Sequence, residues 1–190
     1  EPAAAARHWE NFLRLASTQL DSAPISAQQL ISASIQLADD QSAINQSDAA
    51  LARYQSAIAL AEHANDAKLE SLALAHLADL QDKRNSTAAA AQSYQRALSL
   101  DAKAADPRSE GFDWFNYGQF LRRHQASTDL VYACLLRAEN LLQTSDPAEL
   151  QTVQTARREV AGQLGKKAPA AQKDLPALLA RATNLPAGSL

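Results

Sequence analysis

The sequence predicts an all-α fold: a solenoid of about three helical hairpins, with one helix before the array and another after it. Three observations lead there. In 190 residues glycine (5), proline (7) and aromatics (5%) are scarce, while alanine, leucine and glutamine, which lose little on entering a helix, dominate. No run alternates β-branched and polar residues between turn signals, as a half-buried strand would. The third observation is punctuation: Ser26, Asp66, Asp106 and Asp146 each precede an apolar helical pattern and follow one another at intervals of 40 residues. Each is a good N-cap, whose side-chain oxygen satisfies an orphan N–H and contributes about 1 kcal/mol.

The elements follow in order. Residues 3–21 form an amphipathic helix carrying Trp9, Phe12, Leu13, Ala16 and Leu20 on one face, ended by the turn Asp21-Ser22-Ala23-Pro24. Three units span about 26–64, 66–104 and 106–144, and Ser47, Thr87 and Ser127 open the second helix of each. Pro107 and Pro147 stand one residue after their caps, where a missing N–H costs nothing. A large residue followed by a small one recurs in the first helices, as Leu37-Ala38, Leu77-Ala78 and Tyr117-Gly118. In the second helices Ala50, Tyr54, Ala57, Ile58 and Leu60 recur as Ala90, Tyr94, Ala97, Leu98 and Leu100. The third unit slips by one, to Val131, Leu135, Ala138 and Leu141, which an inserted residue in its turn explains, with Thr128 then able to cap. Ser34 and Gln41 stand where the first unit should be apolar. Residues 147–164 make a terminal helix with one apolar side (Leu150, Val153, Val160, Leu164), closed at Gly165. These elements form one domain over 1–165. The tail, 166–190, holds a short amphipathic segment, Leu175 to Ala182, expected either to pack as a last helix or to dock in a groove.

Residues 112–121 hold five of the chain's ten aromatics. Trp114, Tyr117, Gly118 and Leu121 fall along one helical stripe, and an interior glycine, about 1 kcal/mol worse than alanine, implies close approach by a second helix. This stretch resembles the first helix of a tetratricopeptide repeat, and Ala50, Tyr54 and Ala57, with Ala90, Tyr94 and Ala97, resemble the second. The resemblance covers roughly residues 26–143 and implies a right-handed α-α superhelix. Its interval exceeds the common length of about 34 and is similar to the extended repeats of kinesin-light-chain-like arrays.

Several function classes are disfavoured. A formal charge of -3 and a pI near 5.8 give no pull toward nucleic acid or an anionic membrane. No apolar stretch is long enough to span a bilayer. The single cysteine, Cys134, excludes an intrachain disulfide and is expected to be a buried packing residue. No phosphate loop, zinc-protease pair or nucleophile elbow occurs, so neither an enzyme nor a cofactor is expected. His8, His63 and His124 read as exposed. His76, Asp79 and Asp82 share one helical face but lack a further metal ligand, so a polar groove wall, or pairing with Lys83, is expected of them. The chain begins at Glu1 without any methionine, so its natural start is expected upstream. A soluble protein is expected, cytoplasmic or, as its Gln-, Ser- and Ala-rich composition suits, exported by a bacterium.

The resemblance also implies a concave surface built by the first helices, where peptides or proteins bind. It would comprise Ile35, Gln36 and Asp39, then Leu72, His76, Asp79, Asp82 and Lys83, then Phe112, Phe115, Asn116, Gln119, Arg122 and Arg123. The wall would run from acidic to basic and orient a ligand of mixed charge. The terminal-carboxylate clamp of chaperone-binding relatives is not expected, because Ile35 and Asp39 stand at its positions. The function expected is a non-catalytic peptide- or protein-binding scaffold. The alternative is a regulatory or oligomerising segment, a homo-oligomer included, whose groove its own tail fills.

Overall fold

A computed structural model describes residues 2–18, 26–144, 146–186 and 188–190, with the side chains of 15–18 and of Pro147 left aside. The expected turn at Asp21 to Pro24, and Leu20 before it, lie outside the described residues. Among those described are ten α-helices and no strand: α1 (Pro2–Thr18), α2 (Ala27–Ala43), α3 (Ser47–Ala64), α4 (Ala67–Lys83), α5 (Thr87–Ala104), α6 (Pro107–Arg123), α7 (Thr128–Leu142), α8 (Pro147–Leu164), α9 (Ala168–Lys173) and α10 (Leu175–Thr183). Helices α2–α3, α4–α5 and α6–α7 pack as hairpins. Each hairpin joins the next through α3–α4 and α5–α6, while α2 touches α4 and α4 touches α6, so the first helices lie side by side in a solenoid. No helix of the described residues is long and apolar enough to cross a membrane.

The spacing of the caps is structural. Ser26 and Gln29 form a reciprocal capping box, and Asp66, Asp106 and Asp146 accept from backbone N–H groups of Leu69, Ser109 and Glu149 at 3.1–3.2 Å. Their other carboxylate oxygens reach back to the preceding first helix. Gln28 Nε2 donates to Asp66 at 3.0 Å, Lys68 Nζ lies 2.7 Å from Asp106, and Arg108 Nη2 donates to Asp146 at 3.0 Å. Donors at 28, 68 and 108 thus latch successive first helices together.

The second helices start differently from expectation. Ser47 and Thr87 are first helical residues, preceded by Gln46 and Ser86, and neither these nor Ser127 makes a side-chain cap bond. The turns are instead set by left-handed residues every 20 positions, Asn45, Asn65, Asn85, Ala105 and Gln125. At 45, 85 and 125 the next N–H reaches back to Gln41, Gln81 and Leu121 at 2.8–2.9 Å, closing the preceding helix with a Schellman bond. Asparagine tolerates this backbone region, and the shift from Thr87 to Thr128 carries the inserted residue.

One cluster centred on Ile31, Ile35, Tyr54, Leu74 and Leu80 fills the first two units. A second, around Tyr94, Tyr117, Phe120, Leu135 and Leu142, continues through α8 to the tail. Cys134 is buried in it, and burial pushes its thiol pKa up. The seam between α6 and α7 is the tightest. A Cβ on Gly118 would stand 3.1 Å from Cys134 Cβ, and one on Gly111, which the sequence reading passed over, only 2.6 Å from Leu142 Cγ. Ser34 is accommodated by donating to Leu30 O at 2.8 Å, whereas Gln41 donates to Glu10 only at 3.5 Å and keeps its Oε1 buried without a partner. Leu60, expected in the core, is exposed.

The tail is helical and packed. A 3-10 turn at Gly165–Lys167 leads into α9, and α9 and α10 both lie on α7. Leu178 and Ala182 are buried there. Tyr117 donates its hydroxyl to Ala182 O at 2.6 Å, and Gln95 Nε2 donates to Leu185 O at 3.2 Å.

Candidate functional site

Where α4 runs beside α6, the solenoid opens a cleft of about 430 Å³. From α4 come Lys68, Ser71, Leu72, Ala75, His76 and Asp79; from the α6 side, Asp106, Arg108, Ser109, Phe112, Asp113 and Asn116. Helical spacing explains the set, since positions three and four apart on each helix face the same side. Leu72 is 42% exposed, unusual for a large apolar residue in this chain. Phe112 borders the same cleft, half-buried, with the Arg108 guanidinium 5.5 Å from its ring centroid.

Most charges of the cleft are engaged. Lys68 pairs with Asp106 and Arg108 with Asp146. Lys68, with the Ser109 backbone, holds the Asp106 carboxyl below its usual pKa range. Asp79 accepts a short hydrogen bond from Tyr94 of the same hairpin, just as Asp39 accepts one from Tyr54 at 2.5 Å. Burial and these carboxylates push both phenols far up, so they remain donors. His76 Nδ1 lies 2.6 Å from Asp39 Oδ1. Burial pulls its pKa down, but the bond to Asp39 and the charges of Asp39 and Asp79 outweigh that, and His76 is held above the usual histidine value.

The floor is different. Asp113 is 6% exposed, and its Oδ2 accepts from Ser71 Oγ at 3.1 Å. Behind it Asp101 of α5 is wholly buried, and neither of its carboxylate oxygens has a hydrogen-bond partner. Buried together away from water, each carboxyl makes it harder for the other to ionise. Burial first, and their mutual charge second, drive Asp113 well above the ordinary aspartate value, and burial does the same for Asp101.

The expected contact residues divide accordingly. His76, Asp79, Phe112 and Asn116 meet in this cleft. Gln36 lies in a separate groove of about 380 Å³ between α1 and α2, beside Trp9 and Phe12. Ile35, expected on the concave surface, is instead core, and Asp39 is tied to Tyr54 and His76. Lys83 is exposed at the end of α4; Phe115 and Gln119 are half-buried and outside the cleft lining. Arg122 bonds Glu159 of α8 at 3.0 Å and Arg123 bonds Asp82 of α4 at 2.7 Å. These arginines therefore join helices, and the expected free basic end is absent. His124, expected to be exposed, is half-buried, with Nε2 2.6 Å from Asp82 and its ring against Phe120. His76, Asp79 and Asp82 thus face three different partners. The sequence reading missed Ser71, Asp101 and Asp113, which show only when each 40-residue column is compared.

Comparison with protein-family models finds no match, and comparison with curated proteins finds none either. Among solved structures the chain is similar to "Crystal structure of BtubC (BKLC) from P. vanneervenii", with a TM-score of 0.68 and 17% identity, over 92% of this chain and 68% of that one. At that identity the likeness is one of fold: a helical, repeat-like architecture.

Proposed function

We propose that this protein is a non-catalytic binding scaffold of the tetratricopeptide-like type, which holds a peptide or an extended protein segment in the cleft between α4 and α6. One observation carries the reading: Leu72 and Phe112, two large apolar side chains from α4 and α6, border the same open cleft among hydrogen-bonding groups. Apolar anchors amid polar groups that fix register are what peptide recognition requires. The Tyr94–Asp79 bond holds α4 on α5, and Lys68–Asp106 and Ser71–Asp113 tie α4 to the α6 side, which supports a cleft formed before any ligand arrives. The tail supports an external occupant over an internal one, because α9 and α10 lie on α7 and no described residue of the tail lines the cleft.

The experiment is selection from a displayed random-peptide library on the intact chain, repeated with Leu72→Glu and Phe112→Ala. Peptides whose binding both substitutions abolish are the expected result. Recovery only of peptides indifferent to both would refute the reading. Light scattering gives a second check. One chain per particle is expected, and a dimer that Leu72→Glu dissociates would make the occupant a second copy.

A further inference from the structure

The repeat supplies its own control for what packing requires. The column of Asp113 holds Ala33, Ala73 and, in α8, Val153, all buried. The column of Asp101 holds Ala61 and, past the inserted residue, Leu142, both buried. Each acid therefore replaces an apolar core residue at one place in its column, Asp101 in the second unit and Asp113 in the third, and the two lie together beneath the cleft that Leu72 and Phe112 border. Packing has no use for them there, and burying them costs stability.

We infer that the α4–α6 cleft receives a lysine or arginine side chain of the bound peptide, its cationic head meeting the Asp113 carboxyl in front of Asp101. This rests on the peptide-binding reading of the same cleft. The chemistry of the walls selects the charge. The cleft's own cationic groups, Lys68, Arg108 and His76, are paired with Asp106, Asp146 and Asp39, so each already faces a carboxylate and none is left to draw an anion. An incoming cation takes the place of a proton held on the pair: one carboxyl O–H breaks, its electron pair stays on the oxygen, the proton goes to solvent, and the carboxylate so formed is neutralised by the cation. Leu72, Ala75 and Phe112 flank the approach and suit the aliphatic stem of a long basic side chain. A metal ion is poorly served, since among the described residues no group of three His, Cys, Asp or Glu converges. A free small amine would leave the exposed face of Leu72 uncovered, whereas a peptide backbone would cover it.

The library selection above tests this through different readouts. Selected peptides should carry Lys or Arg at one fixed position and bind about tenfold more weakly, or worse, to Asp113→Asn, the loss of one charge-assisted bond. Calorimetry on the unmutated chain in buffers of different ionisation enthalpy should show about one proton released per peptide bound. Peptides that depend on Phe112 yet carry no fixed cation, release no proton and ignore Asp113→Asn would overturn the inference and leave the peptide reading standing. Failure to recover any peptide dependent on Phe112 or Leu72 would remove both. Butylammonium, used as a free-amine probe, should bind far more weakly than the peptides; equal affinity would overturn the peptide source of the charge.

Discussion

Replacing Asp113 by asparagine should stabilise the folded chain at neutral and higher pH, and by more as pH rises. Asparagine keeps the shape, can accept from Ser71 Oγ, which now donates to Asp113 at 3.1 Å, and can donate its amide N–H to Asp101. It removes one of two carboxyls that burial holds above the ordinary aspartate value of 3.8. The folded state therefore keeps a proton that the unfolded chain gives up near that value. Unfolding then releases protons, and stability falls as pH climbs from 3.8 through the raised folded values. Asp79, on α4, Glu110 and Asp106 add to the repulsion from around the pair. An imperfectly satisfied buried charge costs about 1–3 kcal/mol. Asp113→Asn should recover a similar amount at about pH 8, a rise in Tm of roughly 2–4 °C per kcal/mol for a chain of this length. At about pH 4, where the pair already holds its proton, the difference should shrink toward zero. Thermal unfolding followed by circular dichroism at several pH values measures both ends. A variant less stable than the parent at high pH, or offset by the same amount at every pH, would show that the pair carries no buried-charge cost.

Other consequences concern the scaffold. Gly111→Ala should destabilise by up to about 2 kcal/mol, the roughly 1–3 kcal/mol of overpacking against Leu142 less about 1 for helix propensity. Gly162→Ala, with nothing within 4 Å of its new Cβ, should stabilise by up to about 1 kcal/mol, so denaturant midpoints should move in opposite directions. Ala105 is exposed at φ 52°; Ala105→Gly should stabilise by roughly 0.5–1 kcal/mol, and a midpoint lower than the parent's would show that alanine bears no strain in this turn. Tyr94→Phe leaves Asp79 without its hydroxyl donor and should cost about 1–2 kcal/mol by denaturant titration. An unchanged midpoint would mean that bond contributes nothing.

The scaffold was legible because helix starts need particular side chains. Ser26, Asp66, Asp106 and Asp146 cap helices where their spacing places them, and the hairpins follow from the apolar columns between. The second-helix starts were less so, because their signal lies in backbone geometry at Asn45, Asn85 and Gln125, and glutamine is no usual left-handed residue. The site was half legible. The resemblance to tetratricopeptide repeats, not spacing alone, led to His76, Asp79, Phe112 and Asn116 being expected on one surface. It could not show that Arg122 and Arg123 are spent on Glu159 and Asp82, because those partners lie 37 and 41 residues away in the sequence. Nor could periodicity single out Asp113, since an acid on a helix reads as exposed until its column is seen to be core.

The polar bonds that recur and those that do not separate architecture from recognition. Tyr54–Asp39 recurs as Tyr94–Asp79, and Glu70–Arg96 recurs as Glu110–Arg137 with the extra residue of the third turn. Together with the latches at Asp66, Asp106 and Asp146 they tie helix to helix in successive units. A bond made in successive units is explained by the array itself, which removes Asp39 from the contact surface and makes Asp79 first a strut and only second a wall. Asp101 and Asp113 are the reverse case: found once, set among alanine, valine and leucine in their columns, and short of donors. A chain that already knows how to fill those columns with apolar side chains forgoes stability by placing acids there. The cleft they underlie, bordered by Leu72 and Phe112, is where that loss can be offset, by a cation that arrives from outside and takes the place of a proton held on the pair.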